Sequence, residues 1–212
     1  MNRSVAEIVS DVKACLDEMG INDSEFLISE DNMDMEIIAE SKIPDAMRFV
    51  NLNADISYLE PICKSEVSCK ADESGMVTLT LPDDFLRLVL AKVHGWRIPV
   101  TTPIVYSDKE YAALKNRITT GYPDNPKAAY SISAEGDKVL ELYTCSLSDV
   151  GNNVKVDYSY ISESVDDNGE YNIPDKVYRG VVYYIAGLTL LTYKDSHADS
   201  LMNQAIQLIG AK

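Results

Sequence analysis

The stretch that decides the fold is MVTLTLPDDFLRLVLAKV, residues 76–93. Its first six residues, 76–81, alternate apolar residues with threonine, and a period of two is typical of a strand with one buried face. Pro82 and the two acids behind it suit the first turn of a helix. The apolar residues beyond them predict an amphipathic helix over about residues 83–94, with a buried face of Phe85, Leu86, Val89, Leu90 and Val93.

A second apolar-Pro-Asp step, Ile173-Pro174-Asp175, predicts the start of the last long helix, over about residues 175–193. Its expected buried stripe is Val177, Val181, Tyr184, Ile185, Leu188 and Leu191. A final helix over about residues 196–209 follows. Its stripe of small and aliphatic residues suits close packing on the helix before it.

The N-terminal region predicts two further helices. Ser4 and Glu7 form a capping box, and helical spacing of apolar residues then predicts a helix over about residues 4–19. A second helix is expected over about residues 34–54. Pro44 must break or kink it, because proline lacks the backbone N–H and clashes with the preceding turn.

Short strands dominate the middle of the chain. A hairpin is expected from the runs 128–133 and 138–144, which flank Glu135-Gly136-Asp137, and residues 153–161 alternate as a third strand. Residues 64–75 suggest a loop or a ragged edge hairpin. The proline-rich residues 97–127 predict a protruding loop or arm, in which a second capping box begins a short helix ending near Asn116.

These elements predict an α+β fold: a helical bundle from N-terminal, middle and C-terminal helices, with an inserted antiparallel β-region over about 76–81 and 96–161. This length allows one large domain or two small ones, and we expect a single domain over residues 1–212.

Charge restricts the classes of function. The chain holds 34 acidic and 19 basic residues, a formal net charge of −15, and such a surface repels nucleic-acid phosphates. The longest apolar run, residues 181–191, is too short to cross a bilayer. The four cysteines form no Cys-x-x-Cys pair, so buried free thiols are expected; a Cys63–Cys69 bridge stays open.

No motif for catalysis, cofactor binding or metal binding stands out. The glycines form no phosphate-binding loop or nucleophile elbow, and the two histidines, His94 and His197, have no partner at a useful spacing. Asp83 and Asp84 fit a role at a helix start better than a catalytic one. We therefore expect no catalytic residue, no cofactor and no metal, and a protein that is not an enzyme.

Tyrosine is the compositional oddity, with 13 tyrosines against three phenylalanines and one tryptophan. Tyrosine tolerates a half-wet position and is common at protein interfaces. Because several aromatic residues lie in or beside the arm, we expect a protein–protein interface that includes Trp96, Tyr106, Tyr111 and Tyr122.

The order of these elements resembles a known family. It begins with an N-terminal helix pair that carries Ala46-x-Arg48-x-Val50, followed by Leu81-Pro82-Asp83-Asp84-Phe85, which leads into a helix that ends near Trp96. A strand with Val156-Asp157-Tyr158-Ser159-Tyr160 comes next. Last comes Ile173-Pro174-Asp175, with Tyr183-Tyr184-x-Ala186 in the long helix after it. In this order the chain is similar to the head-to-tail adaptor or neck ring proteins of short-tailed bacteriophages, including crAss-like phages, the tail tubular protein A-like family.

The resemblance implies a structural virion protein. Its copies would form a ring, commonly of twelve, between the portal and further neck or tail proteins, and DNA would pass through the lumen without specific binding. It implies synthesis in the host cytoplasm, a place in the neck or tail region of the virion, and no membrane partner. Relatives often extend further at the C-terminus to grip the portal, whereas this chain stops at Lys212.

Two other classes of function remain open at this stage. A monomeric β-rich module that binds a polysaccharide or another ligand would use the strands and their tyrosines. A small hydrolase would need two carboxylates that converge in one pocket.

Overall fold

The computed structural model describes residues 2–18, 34–114, 116, 122–133, 135–143, 150–163 and 170–211. The helices are α1 (Val5–Glu18), α2 (Met35–Asn53), α3 (Lys109–Leu114), α4 (Asp175–Thr192) and α5 (Ala198–Leu208), with a 3₁₀ turn at Ile56–Tyr58. The strands are β1 (Asn2–Arg3), β2 (Ile62–Lys70), β3 (Val77–Thr80), β4 (Phe85–Val93), β5 (Ile104–Val105), β6 (Lys127–Ile132), β7 (Lys138–Tyr143), β8 (Asn153–Ser162) and β9 (Tyr171–Asn172). The α+β class predicted from the sequence is confirmed.

The chain divides into two units. Residues 1–60 and 163–212 form a helical unit, and residues 61–162 form a β-unit inserted between these two segments. The sequence predicted a single domain with an inserted β-region, and the structure divides the chain where that insertion begins and ends.

The helical unit begins as the sequence predicts. The Ser4 backbone N–H donates to the Glu7 carboxylate and the Glu7 N–H donates to Ser4 Oγ, which is the reciprocal capping box. Apolar residues on one side of α1 are buried: Ile8, Val9, Val12, Cys15 and Leu16. Residue 19, the predicted end of this helix, lies outside the described residues.

Helix α2 runs through Pro44 without a break, so the first of the two expected effects of this proline, a break, is wrong. Pro44 and Glu40 both lie on the exposed side of the helix. Proline has no backbone N–H, so the Glu40 carbonyl lacks the hydrogen bond that residue 44 of a regular helix would donate. Water can satisfy that carbonyl, which reduces the cost of the proline.

Helices α4 and α5 pack closely. A Cβ at Gly180 would lie 2.4 Å from Ile209 Cγ2, and one at Gly187 would lie 2.6 Å from Met202 Cγ. A side chain at either position would force its neighbour to shift, which confirms the predicted close packing of the last helix. Leu191, expected in the buried stripe of α4, is instead 51% exposed.

The β-unit is built from two sheets that enclose one apolar core. The strand orders are β2-β8-β4 and β3-β7-β6-β5, with β5 parallel to β6 and the other pairs antiparallel. The inward face of β8 contributes Val154, Val156, Tyr158 and Tyr160 to this core. The predicted hairpin is present as β6 and β7, and the predicted third strand as β8. Helix α3 confirms the short helix expected within the arm.

The predicted middle helix over residues 83–94 is wrong, because residues 85–93 form strand β4. The pairing of β4 with β8 shifts register between Phe85 and Arg87 and again between Leu88 and Leu90. Each shift adds a residue to the strand. The buried positions therefore fall at Phe85, Leu88, Ala91 and Val93, a spacing close to that of a helix.

Residues 62–70, mostly expected as a loop or ragged hairpin, form the edge strand β2. Its pairing with β8 is interrupted between Lys64 and Val67, and Glu66 in that bulge has a φ of 56°. Bulges of this kind twist an edge strand and discourage its pairing with another chain. Cys15 and Cys69 are buried free thiols as predicted, whereas Cys63 on this strand is an exposed free thiol, so its predicted burial is wrong. Cys145 lies outside the described residues.

Candidate protein–protein interface

Strand β5 lies at the edge of the four-stranded sheet. It is two residues long, with Ile104 beside Ala129 and Val105 beside Tyr130 of β6. Ile104 packs against the small cluster of Leu114, Ala129 and Tyr143 under helix α3. Val105 therefore faces the opposite side of the sheet, where its side chain is 41% exposed.

Exposed apolar residues gather at this edge. Ile132 lies two residues beyond Tyr130 on β6 and thus shares the face of Val105. Ile132 is 58% exposed and Tyr106, directly after β5, is 57% exposed. This face also carries Ala128 and Leu140, which belong to the buried core. Val105 and Ile132 thus lie on the side of the sheet that carries the apolar core, and Tyr106 directly follows Val105 in the chain. These three exposed residues are here called the rim surface.

A second exposed apolar surface lies at the other end of β6. The Arg97 N–H donates a 3.1 Å hydrogen bond to the Pro123 carbonyl, and Arg97 Nε lies 3.5 Å from Asp124 Oδ1. These contacts hold residues 97–98 beside the turn at residues 122–125. Ile98 and Tyr122, here called the tip surface, are 50% and 58% exposed.

Helix α3 is fastened to the outer side of the four-stranded sheet by a carboxylate. The Tyr111 hydroxyl donates one bifurcated hydrogen bond to Glu141, whose two carboxylate oxygens lie 3.1 and 3.0 Å from it. The Tyr143 hydroxyl donates to Glu141 Oε2 at 2.6 Å. Burial raises the pKa of Tyr143 strongly, and its hydrogen bond to the Glu141 carboxylate raises it further. This part of the predicted arm is therefore attached to the sheet; residues 115 and 117–121 lie outside the described residues.

The structure places the four predicted interface residues differently. Tyr106 and Tyr122 are exposed, on the rim and the tip surface respectively. Tyr111 is half-buried and faces Glu141. Trp96 is only 3% exposed and packs in the core of the β-unit, so it belongs to no surface. Sequence reasoning missed Ile98, Val105 and Ile132, because nothing in their local pattern separates an exposed apolar residue at a sheet edge from a buried one.

The histidines, which looked isolated in sequence, each contact an aspartate. His94 Nε2 lies 3.3 Å from Asp157 Oδ2, and His197 Nδ1 lies 2.9 Å from Asp195 Oδ1. The Glu66 N–H donates to Asp157 and, with His94, lowers the pKa of that carboxyl. Asp157 lies far along the chain from His94, so no local signal could have revealed the pair.

The sequence predicted that Asp84 lies at a helix start, and this is wrong, because Asp84 directly precedes strand β4. The Tyr160 hydroxyl donates one bifurcated hydrogen bond to the Asp84 carboxylate, whose two oxygens lie 3.2 and 3.3 Å from it. Burial, with the adjacent Asp84 charge, raises the pKa of Tyr160 to about 12. The ring of Tyr160 stacks on Phe85 and Tyr158. The contact fastens the loop before β4 to the core.

Comparison with protein-family models and with curated proteins found no match to this chain. Among the described residues, no group of three or more His, Cys, Asp or Glu side chains is placed to hold a metal ion. None of the helices that the structure describes is long and apolar enough to cross a membrane.

Proposed function

We propose that this protein is a structural component of a bacteriophage virion, a head-to-tail adaptor whose twelve copies form a ring between the portal and the tail. DNA passes through the ring without being bound specifically. The protein acts by assembly with itself, with the portal and with further neck or tail proteins, and it carries out no catalysis.

The observation that carries this proposal is the insertion of a β-unit between the two segments of a helical unit. That arrangement agrees with the order of terminal helices and inserted strands on which the sequence resemblance rests. One part of the resemblance, the helix after Leu81-Pro82, is a strand here, so it gives no support.

The exposed apolar surfaces of the β-unit also support an assembly protein. A subunit of a closed ring contacts its two neighbours through two different surfaces. The rim surface and the tip surface are two such surfaces on one unit, separated by strand β6.

The net charge of −15 suits a channel through which DNA must slide. A wall that attracted phosphates would retain the genome, because each neutralised phosphate releases counterions and adds affinity. An acidic ring lowers that affinity.

Negative-stain imaging of the purified chain, alone and mixed with the portal protein from the same genome, tests the proposal. We expect rings of one diameter, or a new layer on the portal. A chain that stays monomeric and leaves the portal unchanged would contradict it and would favour a monomeric ligand-binding module.

A further inference from the structure

Charge is divided unequally between the two units. The residue ranges of the helical unit hold 21 acidic and 8 basic residues, a net charge of −13, whereas the range of the β-unit holds 13 acidic and 11 basic residues, a net charge of −2. Two copies that met through their helical units would bring these like charges within a Debye length of about 8 Å, where salt screens them least. Contact through the β-units avoids most of this repulsion.

The β-unit also offers the two surfaces that such a contact needs. The rim surface (Val105, Tyr106, Ile132) and the tip surface (Ile98, Tyr122) are apolar and exposed. Tyr122 precedes β6 and Ile132 ends it, so the two surfaces lie at opposite ends of a six-residue strand. At roughly 3.3 Å a residue, Ile132 lies about 17 Å from the start of the strand, and Val105, beside Tyr130, lies about 10 Å from it. Two surfaces that far apart can be occupied by two neighbours at once.

We propose that copies of this protein join through their β-units, with the rim surface of one copy seated on the tip surface of the next. This proposal rests on the ring function proposed above and specifies its subunit contact. The contact is heterologous, since each copy contributes a different surface to each side, and it closes into a ring by rotation. The apolar side chains form the centre of the contact, and the pair of Arg97 and Asp124 lies beside the tip surface.

A mixing experiment on the full chain tests the orientation of the contact. Ile132→Asp blocks the rim surface and Tyr122→Asp blocks the tip surface, and each variant keeps the other surface intact. Sedimentation velocity of each variant alone should show monomers, whereas an equimolar mixture should show dimers and nothing larger. If the wild type assembles only on the portal, we expect each variant to bind the portal as separate copies, without the complete rings of the wild type.

Matched controls come from the helical unit. Ile37 and Leu191 are 52% and 51% exposed there, and Ile37→Asp and Leu191→Asp should leave assembly unchanged. Urea unfolding of all four variants checks that they fold. Raising salt from 50 to 300 mM should change the association constant of the wild type by less than about threefold, because the joined units carry little charge.

Four results would overturn this inference. Rings that survive both β-unit substitutions but fail with the helical-unit substitutions would place the contact on the helical unit while leaving the ring function intact. An equimolar mixture of the two β-unit variants that sediments as monomers would exclude rim-to-tip contact. Variants that still form rings but no longer bind the next neck protein would exclude it too. A wild type that forms no ring with or without the portal would contradict the proposed function and this contact together.

Discussion

The Glu66 backbone N–H donates a 2.7 Å hydrogen bond to Asp157 Oδ1 across the pair of strands β2 and β8. Glu66 occupies the left-handed region at a φ of 56°, which costs free energy for a residue with a side chain. Its carboxylate also lies 2.7 Å from Lys155 Nζ. Both partners come from β8, so this strand fixes the bulge of the edge strand beside it.

Asp157→Ala should therefore lower the urea midpoint of the β-unit, because the bulge loses the acceptor that holds it. Asp157→Asn keeps an acceptor oxygen and is the matched control. Equal midpoints for the alanine variant and the wild type would show that the bulge does not depend on this bond.

The same contact predicts a dependence on pH. The Glu66 N–H and His94 lower the pKa of Asp157, so the folded state favours the charged carboxylate. The resulting stability is present above the unfolded pKa of about 3.9 and is lost as pH falls through the lower folded pKa. The difference in stability between wild type and Asp157→Ala should shrink as pH is lowered from about 5 to about 2, measured by urea unfolding. A difference that stays constant would argue against a charged acceptor.

Gly180→Ala should destabilise the helical unit. The new Cβ would lie 2.4 Å from Ile209 Cγ2, and such overpacking typically costs about 1–3 kcal/mol. The better helix propensity of alanine offsets up to about 1 kcal/mol of this loss. The free energy of unfolding in urea gives the net effect.

A double variant provides the control for that contact. Combined with Ile209→Ala, which removes the opposing methyl group, Gly180→Ala should cost less than it does alone. Costs that simply add would mean that the two positions are not in contact.

Tyr111→Phe should loosen helix α3 without unfolding the β-unit. The substitution removes the hydroxyl that bonds Glu141, and a hydrogen bond of this kind contributes about 0.5–1.5 kcal/mol. Hydrogen exchange of residues 109–114 should become faster while that of β7 and β8 stays the same. Tyr143→Phe, on the same carboxylate but within the sheet, is the comparison. Unchanged exchange in α3 would show that apolar packing alone holds it.

Tyr160 should weaken the fold at alkaline pH. Burial and Asp84 raise its pKa to about 12, so the folded state favours the neutral phenol. That stability is fully present below the unfolded pKa of about 10 and is lost as pH rises through the folded value. Tyr160→Phe cannot ionise and should lose less stability than the wild type between pH 9 and 11.5, measured by urea unfolding. Equal losses of stability in the wild type and in Tyr160→Phe would mean that the ionisation of other tyrosines causes the loss.

Helix boundaries at the two ends of the chain could be predicted because their signals are local. The capping box at Ser4 and the step at Ile173-Pro174-Asp175 each act through neighbouring residues, and both helices begin within a residue of the predicted position. Pro44 was misjudged because its cost depends on whether water reaches one carbonyl, which is a property of the packed helix.

Strand β4 could not be predicted because its two bulges are properties of its pairing with β8. They turn the alternation of a strand into a spacing of three between Phe85, Leu88 and Ala91, and leucine-rich sequence then favours a helix. The tertiary pairing overrides that local preference. Misassigning this element also misplaced Asp84 and Trp96, whose contacts with Tyr160 and the core exist only in the sheet.

The number of copies bound to one portal tests the central claim most directly. We would mix the purified chain with its portal and measure the mass of the isolated complex by native mass spectrometry. The ring proposal predicts a single complex that carries twelve copies of the chain on each portal. A portal with no bound chain, or with a broad range of copy numbers that tracks concentration, would contradict it.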